Sequence, residues 1–171
     1  MTLAPAKPFA PVLPPGRARA LPPMTVVLGS LVPAIVPVVG PGPLLPPTGL
    51  LMLLAWRLLA PASLRFWAPA ALGFADDLVS GQPLGSAVLL WTLAMLAVDA
   101  LERRTMFRSF GKDWATAAAL VTLVIVAARF LASPLHAIAG IMLGAQIVVA
   151  ALLFPAAARL CAWIDRHRGQ A

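Results

Sequence analysis

Charged side chains are scarce in this chain: they make up 11% of its 171 residues, and only 6 of them are acidic. Soluble domains average about 25% charged residues. The deficit therefore argues against a water-facing globular domain and indicates a protein whose solvent is the lipid bilayer. The single cysteine, Cys161, excludes an internal disulfide, and we expect it to pack as a small apolar residue.

Signatures of catalysis and of ligand binding are also missing from the sequence. It has no nucleophile–base pair, phosphate-binding loop, dinucleotide fingerprint or HExxH motif. His136 has no second ligand at metal-binding spacing. The basic residues lie in short gaps between apolar runs rather than on one polar face, which is the pattern of membrane orientation and not of nucleic-acid binding. We therefore predict no catalytic residue, cofactor, metal or nucleic-acid partner, and an enzyme is a distant third among the functions considered.

The chain is rich instead in long apolar segments. Six can be placed, at residues 24–40, 48–59, 64–79, 84–101, 114–131 and 135–163. They predict an all-α polytopic membrane protein with a six-transmembrane-helix bundle, flanked by a proline-rich basic tail (1–23) and a basic C-terminal tail (164–171). A signal peptide is the competing interpretation of the first segment, but Pro33 and Pro37 and the lack of a cleavage site favour a retained, kinked or broken span.

The second segment, 48–59, is too short to cross upright, since a core of about 30 Å needs about 20 helical residues. It is re-entrant, borrows flanking residues or lies where the bilayer is thinned. Orientation follows from the 13 basic residues. A cytoplasmic N-terminus leaves only Arg129 near the outer face, so the positive-inside rule predicts a multi-pass membrane protein with both termini cytoplasmic. An aromatic belt at the inner ends is predicted from four tryptophans: Trp56, Trp67, Trp114 and Trp163.

Two adjacent carboxylates, Asp76 and Asp77, lie toward the predicted outer end of the third segment, where a charge in hydrocarbon costs about 2.5–3.5 kcal/mol. Adjacent helical residues point about 100° apart, so the two cannot share one partner. They could form a polar site for a cation, an amine or a partner's donor. Alternatively, one caps the fourth helix or faces water on the outer side, and the other bonds to neighbouring helix groups. We favour such a structural role for at least one, and Arg129 is a candidate partner for either.

Three further patterns predict helix contacts. Asp99 and Arg103 are spaced for a pair on one helix surface, close to Glu102 and Arg104, and Arg57 can extend to the inner interface. Gly140 and Gly144 form a G-x-x-x-G motif, which serves either docking of a partner helix or internal packing. Gln146 could add an interhelical hydrogen bond.

The segment from Gly73 to Gly85 resembles the bacterial rod shape-determining protein MreD family. The family pattern Gly-x-x-x-Asp-Leu-x-x-Gly-x-Pro-Leu-Gly is matched in register by Gly73, Asp77, Leu78, Gly81, Pro83, Leu84 and Gly85. The leucine-rich run Thr48–Arg57 and the apolar helix through Trp91 also match, so the resemblance covers about residues 45–105. Asp76 is an additional acid beside the matched one.

This resemblance implies a non-enzymatic inner-membrane subunit of the cell-elongation complex, in contact with membrane lipid. Family members bind the single-span protein MreC and act with MreB, a SEDS glycosyltransferase and a class B penicillin-binding protein. They are similar in architecture to the six-helix substrate-binding S subunits of vitamin importers. By the resemblance, Gly73, Asp77, Gly81, Pro83, Gly85 and Trp91 are partner-binding or fold-setting residues. The alternative function is a small-solute binding subunit or transporter component built on the same bundle.

Overall fold

A computed structural model describes residues 16–35, 45–103, 109–132 and 140–168. The elements are α1 (Gly16–Ile35), α2 (Thr48–Leu59), a short 3-10 turn (Pro61–Ser63), α3 (Ala68–Ser80), α4 (Ser86–Glu102), α5 (Phe110–Ala132) and α6 (Gly140–Arg168). The predicted all-α class is therefore confirmed, with six α-helices and no strand in the described ranges.

The helices differ from the predicted segments mainly at their ends. Helix α2 has the bounds predicted for the second segment, whereas α1 begins at Gly16 rather than at Met24. Residues 16–23, which were assigned to the proline-rich tail, are helical, and in this part Pro22 is fully buried and its carbonyl accepts a hydrogen bond from Thr25 Oγ1 at 2.8 Å. Helix α6 likewise continues to Arg168. The end of the first segment, residues 36–40, lies outside the described residues.

Helix α2 is the centre of the bundle. The other helices form an arc in the order α1, α3, α4, α5, α6, and α2 packs against α1, α4, α5 and α6. Residues 49–56 of α2 are all buried, and Leu50, Leu53 and Trp56 have no exposed surface. A helix that is apolar on every face is one that is enclosed on every face.

This enclosure explains how α2 can be so short. Its 12 residues extend only about 18 Å at 1.5 Å per residue. Because protein rather than lipid surrounds it, its length need not match the hydrocarbon thickness. A buried central helix was not among the three interpretations offered for this segment from the sequence.

The outward faces of the arc are apolar. On α4, Leu89, Leu93 and Leu96 are each more than half exposed, at 52%, 51% and 57%. An apolar surface that extends over several helices is unlike the surface of a soluble monomer and suits contact with lipid. Two helical stretches, Phe110–Leu131 and Met142–His167, are long and apolar enough to cross a membrane by length and composition, and the other apolar helices are shorter.

Two prolines inside helices, Pro33 of α1 and Pro155 of α6, are compensated by neighbouring helices. A proline has no N–H, so it frees the carbonyl four residues earlier. The carbonyl of Gly29, freed by Pro33, accepts a hydrogen bond from Thr48 Oγ1 of α2. The carbonyl of Ala151, freed by Pro155, accepts one from Trp114 Nε1 of α5 at 2.9 Å. Both helices therefore continue through their prolines, and α1 is not broken at Pro33.

The aromatic-belt prediction is wrong for one of its four tryptophans. Trp56 is 0% exposed and donates a hydrogen bond from Nε1 to Thr25 Oγ1 at 2.8 Å, so it belongs to the α1–α2 interface. Trp67, Trp114 and Trp163 are 49%, 40% and 52% exposed, as a belt requires. The sequence could place Trp56 near a helix end but could not reveal that its helix is enclosed.

Candidate functional site at the α3–α4 corner

Asp77 holds the end of α3 against the beginning of α4. The carboxylate is 1% exposed, and its Oδ2 accepts a hydrogen bond from the backbone N–H of Gly85 at 2.8 Å. Its Oδ1 accepts two more, from the N–H of Ala87 at 2.9 Å and from the hydroxyl of Ser86 at 3.0 Å. The first N–H groups of a helix lack internal partners and carry the positive end of its dipole, so a carboxylate there is strongly favoured. Asp77 is thus a helix cap supplied by the preceding helix.

Two glycines give the turn between these helices its shape. Gly81 follows the last residue of α3 with φ of 67°, and Gly85 precedes α4 with φ of 95°. These left-handed conformations favour glycine, the first being a common way to end a helix. Between them the carbonyl of Pro83 accepts a hydrogen bond from the N–H of Ser86 at 3.0 Å. The turn brings the first N–H groups of α4 over Asp77.

Gly73 permits α3 and α4 to approach each other closely. A Cβ at this position would lie 2.8 Å from the carbonyl carbon and oxygen of Ala87, closer than a real Cβ contact allows. Gly73 lies one helical turn before Asp77, on the same face of α3. The two residues therefore form one contact stripe, with a backbone approach and then a cap. We call residues 73–87 the α3–α4 corner.

Trp91 connects this corner to the central helix. Its side chain is 2% exposed, and a Cβ built on Gly49 of α2 would lie 3.0 Å from Trp91 Cη2. Gly49 is also close to Ser30 of α1, whose Oγ would lie 2.2 Å from that Cβ. Glycine at position 49 thus makes room for both side chains, and it couples the corner to α1 and α2.

Two residues of the family pattern are not used inside the corner. Leu78 and Leu84 are 62% and 69% exposed. The predicted partner-binding or fold-setting residues of this segment are the glycines, the aspartate and the proline, and they do not include these leucines. Their signal was available: they stand at fixed positions in a segment whose other matched residues shape a turn.

Asp76 and Arg129 line one cavity without pairing. The cavity, of about 420 Å³, lies at the end of the bundle that carries Asp77 and receives residues from all six helices. Asp76 is partly buried and has the Ser30 side chain of α1 as a hydrogen-bond partner. In the described part of the chain, Arg129 forms an ion pair with neither aspartate, so the pairing considered from the sequence is wrong. Asp77 has both oxygens engaged on α4.

The opposite end of the bundle contains a cluster of ion pairs whose partners differ from those predicted from the sequence. Arg57 Nη2 of α2 donates to Asp99 Oδ1 and, at 2.9 Å, to Glu102 Oε2, both on α4. Asp99 therefore pairs with Arg57 and not with Arg103, which is exposed. Spacing along one helix could suggest the local pair but gave no information about which helix packs alongside.

The remaining predicted contacts have mixed outcomes. Gln146 Nε2 donates to the carbonyl of Leu45 at 2.9 Å, so its bond joins α6 to the segment before α2 and not to another helix as expected. Gly144 faces open space, since a Cβ there would meet nothing within 4 Å, so it does not serve internal close packing. Cys161 is buried, as predicted, with its Sγ 3.8 Å from Met52 Sδ. His136 lies outside the described residues, within which no cluster of metal-ligating side chains occurs.

A comparison with models of known protein families gives a match to this chain. A family model described as rod shape-determining protein MreD matches residues 20–163. The match includes the α3–α4 corner and reaches well beyond the 45–105 region on which the sequence resemblance rests. No significant match was found among curated proteins or among solved structures.

Proposed function

Because this chain belongs to the MreD family of rod shape-determining proteins, we propose that it is a non-enzymatic inner-membrane subunit of the bacterial cell-elongation complex that docks an MreC-like protein. Family membership makes it a membrane protein with a role in cell shape. The proposal adds the partner and the surface. Through MreC the subunit would act with MreB, a SEDS glycosyltransferase and a class B penicillin-binding protein in organising peptidoglycan synthesis.

The proposed docking surface for MreC rests on one observation: some residues of the α3–α4 corner hold its two helices together, and others are exposed. Gly73, Asp77 and the turn glycines fix the arrangement of α3 against α4. Leu78 and Leu84 project from this rigid support and are exposed. A preorganised support lowers the entropy lost on binding, and apolar anchors on it are suited to a groove or helix of a partner. We therefore assign the docking of MreC to Leu78 and Leu84, with lipid covering the rest of the apolar surface.

The proposed membrane arrangement has all six helices crossing, both termini cytoplasmic and the α3–α4 corner on the outer side. The distribution of cations supports this orientation. Arg57, Arg103 and Lys112 belong to the end of the bundle opposite the corner, whereas Arg129 is at the corner end. The positive-inside rule then puts the Arg57 end in the cytoplasm.

Site-specific photocrosslinking in cells tests the docking surface. A photoreactive residue at position 78 or 84 should crosslink the MreC-like protein several-fold more efficiently than one at Leu93 or Leu96. The control leucines on α4 are exposed to a similar degree, at 51% and 57%. Equal crosslinking from all four positions would remove the corner from the interface. Failure of the full-length chain to co-purify with MreC would reject the partner itself.

The rival function is a small-solute binding subunit or transporter component, and the cavity beside Asp76 is the observation in its favour. The two functions differ in what depletion of the protein would do. Loss of a cell-elongation subunit rounds rod-shaped cells, whereas loss of a solute-binding subunit removes uptake and leaves shape intact in rich medium. Microscopy of depleted cells, complemented with the wild-type chain, separates them.

A further inference from the structure

The cavity at the Asp77 end of the bundle is lined by one acidic and one basic side chain. Asp76 stands on its α3 wall and Arg129 on its α5 wall. The neighbouring Asp77 completes the cap on α4 by itself, so Asp76 is free of that role. Both side chains are partly buried, and no ion pair joins them in the described part of the chain.

Asp76 and Arg129 each bring a charge to the lining of this cavity, and each charge needs a partner. An uncompensated charge at membrane depth is unfavourable by a few kcal/mol. The two charges could neutralise each other by direct contact, yet no ion pair joins them within the described residues. A single ligand with a positive group near Asp76 and a negative group near Arg129 would compensate both at once.

The other lining groups and the volume indicate the size and character of such a ligand. Ser30 is 5% exposed and adds a hydroxyl beside Asp76, and Gln82 adds an amide at the turn. Trp91 and Ile125 provide an apolar wall. At about 420 Å³ the cavity falls within the usual range of small-molecule sites, roughly 300–1,000 Å³. It accommodates a compact molecule and not a folded partner.

We infer that this cavity binds a small zwitterion, with its ammonium group at Asp76 and Ser30 and its phosphate or carboxylate at Arg129. This chemistry has two sources beside a bacterial membrane: a free amino-phosphate solute and the phosphoethanolamine headgroup of a lipid. The site does not depend on the docking of MreC. Loss of the ligand would leave crosslinking from Leu78 and Leu84 intact, so the two proposals can fail separately.

The test uses the full chain purified in an uncharged sugar detergent, with thermal unfolding and native mass spectrometry as readouts. The probes are O-phosphoethanolamine and lysophosphatidylethanolamine. Either should bind and raise the melting temperature of the wild-type chain. Binding of only the soluble probe identifies a solute site, and binding of only the lysolipid identifies a headgroup site. Binding of either probe, or of both, supports the inference. If neither probe binds, the inference is overturned.

Matched variants locate the binding. Asp76→Asn and Arg129→Gln should each weaken binding by about tenfold or more, the usual effect of losing one charge-assisted hydrogen bond. Arg103→Gln, an exposed arginine at the other end of the bundle, should leave binding unchanged. Affinities equal to wild type in Asp76→Asn and Arg129→Gln would overturn the assignment.

A competition series in the wild-type chain covers the case in which a variant does not fold. Ethanolamine alone and inorganic phosphate alone should each compete far more weakly than phosphoethanolamine, because each meets only one of the two charges. Competition by either single ion at the same concentration as the zwitterion would overturn the inference.

Discussion

Two adjacent aspartates with different surroundings show how much chemistry depends on a step of one residue. Asp77 is enclosed and accepts three hydrogen bonds from the start of α4. Asp76 points toward a cavity and the Ser30 side chain of α1. From the sequence we favoured a structural role for at least one, with a cap on the fourth helix as one possibility, and predicted that the two would face different partners. The sequence could not decide by composition alone which of them faced α4, because that depends on where the turn brings the next helix.

Replacing these residues one at a time should separate their roles. Asp77→Asn should lower the free energy of unfolding by about 1–3 kcal/mol, because the amide keeps one accepting oxygen but its nitrogen cannot accept, so one N–H at the start of α4 loses its partner. Asp76→Asn is the matched control and should change stability much less. Unfolding of the detergent-purified variants, followed by circular dichroism, provides the comparison. Equal losses for the two variants would contradict the assignment of the cap to Asp77.

At the scale of the helices, a glycine in α3 permits close packing and a glycine in α6 does not. Gly73 lies where the backbones of α3 and α4 nearly touch, whereas Gly144 faces open space. The G-x-x-x-G motif of α6 is the better-known packing signal, yet the close approach occurs at the glycine of α3. Sequence patterns identify positions that could permit contact, but only the course of the neighbouring helix decides whether contact is made.

Alanine at these two positions gives a direct test of that difference. Gly73→Ala should destabilise the bundle by about 1–3 kcal/mol, since the new methyl group forces α3 and α4 apart. Gly144→Ala should be neutral or stabilising by up to about 1 kcal/mol, because alanine is the better helix former and nothing obstructs its side chain. Thermal unfolding of both variants in one detergent is sufficient. A destabilised Gly144→Ala protein, with Gly73→Ala unchanged, would reverse the conclusion.

For the whole molecule, the number and type of helices could be predicted because apolar runs and breaks are local properties of the sequence. The central position of α2 and its pairing through Trp56 and Arg57 could not. In a membrane protein both the interior and the lipid-facing surface are apolar, so hydrophobic periodicity does not distinguish an enclosed helix from a peripheral one. The short length of α2 was noticed, and enclosure is its physical explanation.

The proposed orientation predicts which ends of the bundle react with a reagent outside the cell. Gln82→Cys, in the exposed turn after α3, should react with a membrane-impermeant maleimide in intact cells. Arg103→Cys, exposed after α4 at the other end, should react only after permeabilisation. The native Cys161 is fully buried and gives a low background. The opposite labelling order would invert the topology, and labelling of both in intact cells would contradict a six-span arrangement.

The enclosed α2 also constrains how the chain is inserted during synthesis. A 12-residue helix offers the translocon too little apolar length to partition into lipid alone. Its Thr48 and Trp56 side chains bond to the Gly29 carbonyl and the Thr25 hydroxyl of α1, one near each end of the shorter helix. We therefore expect α1 and α2 to leave the translocon together as a helical hairpin, which the later helices then surround. The helix at the centre of the finished bundle is thus too short to enter the membrane by itself.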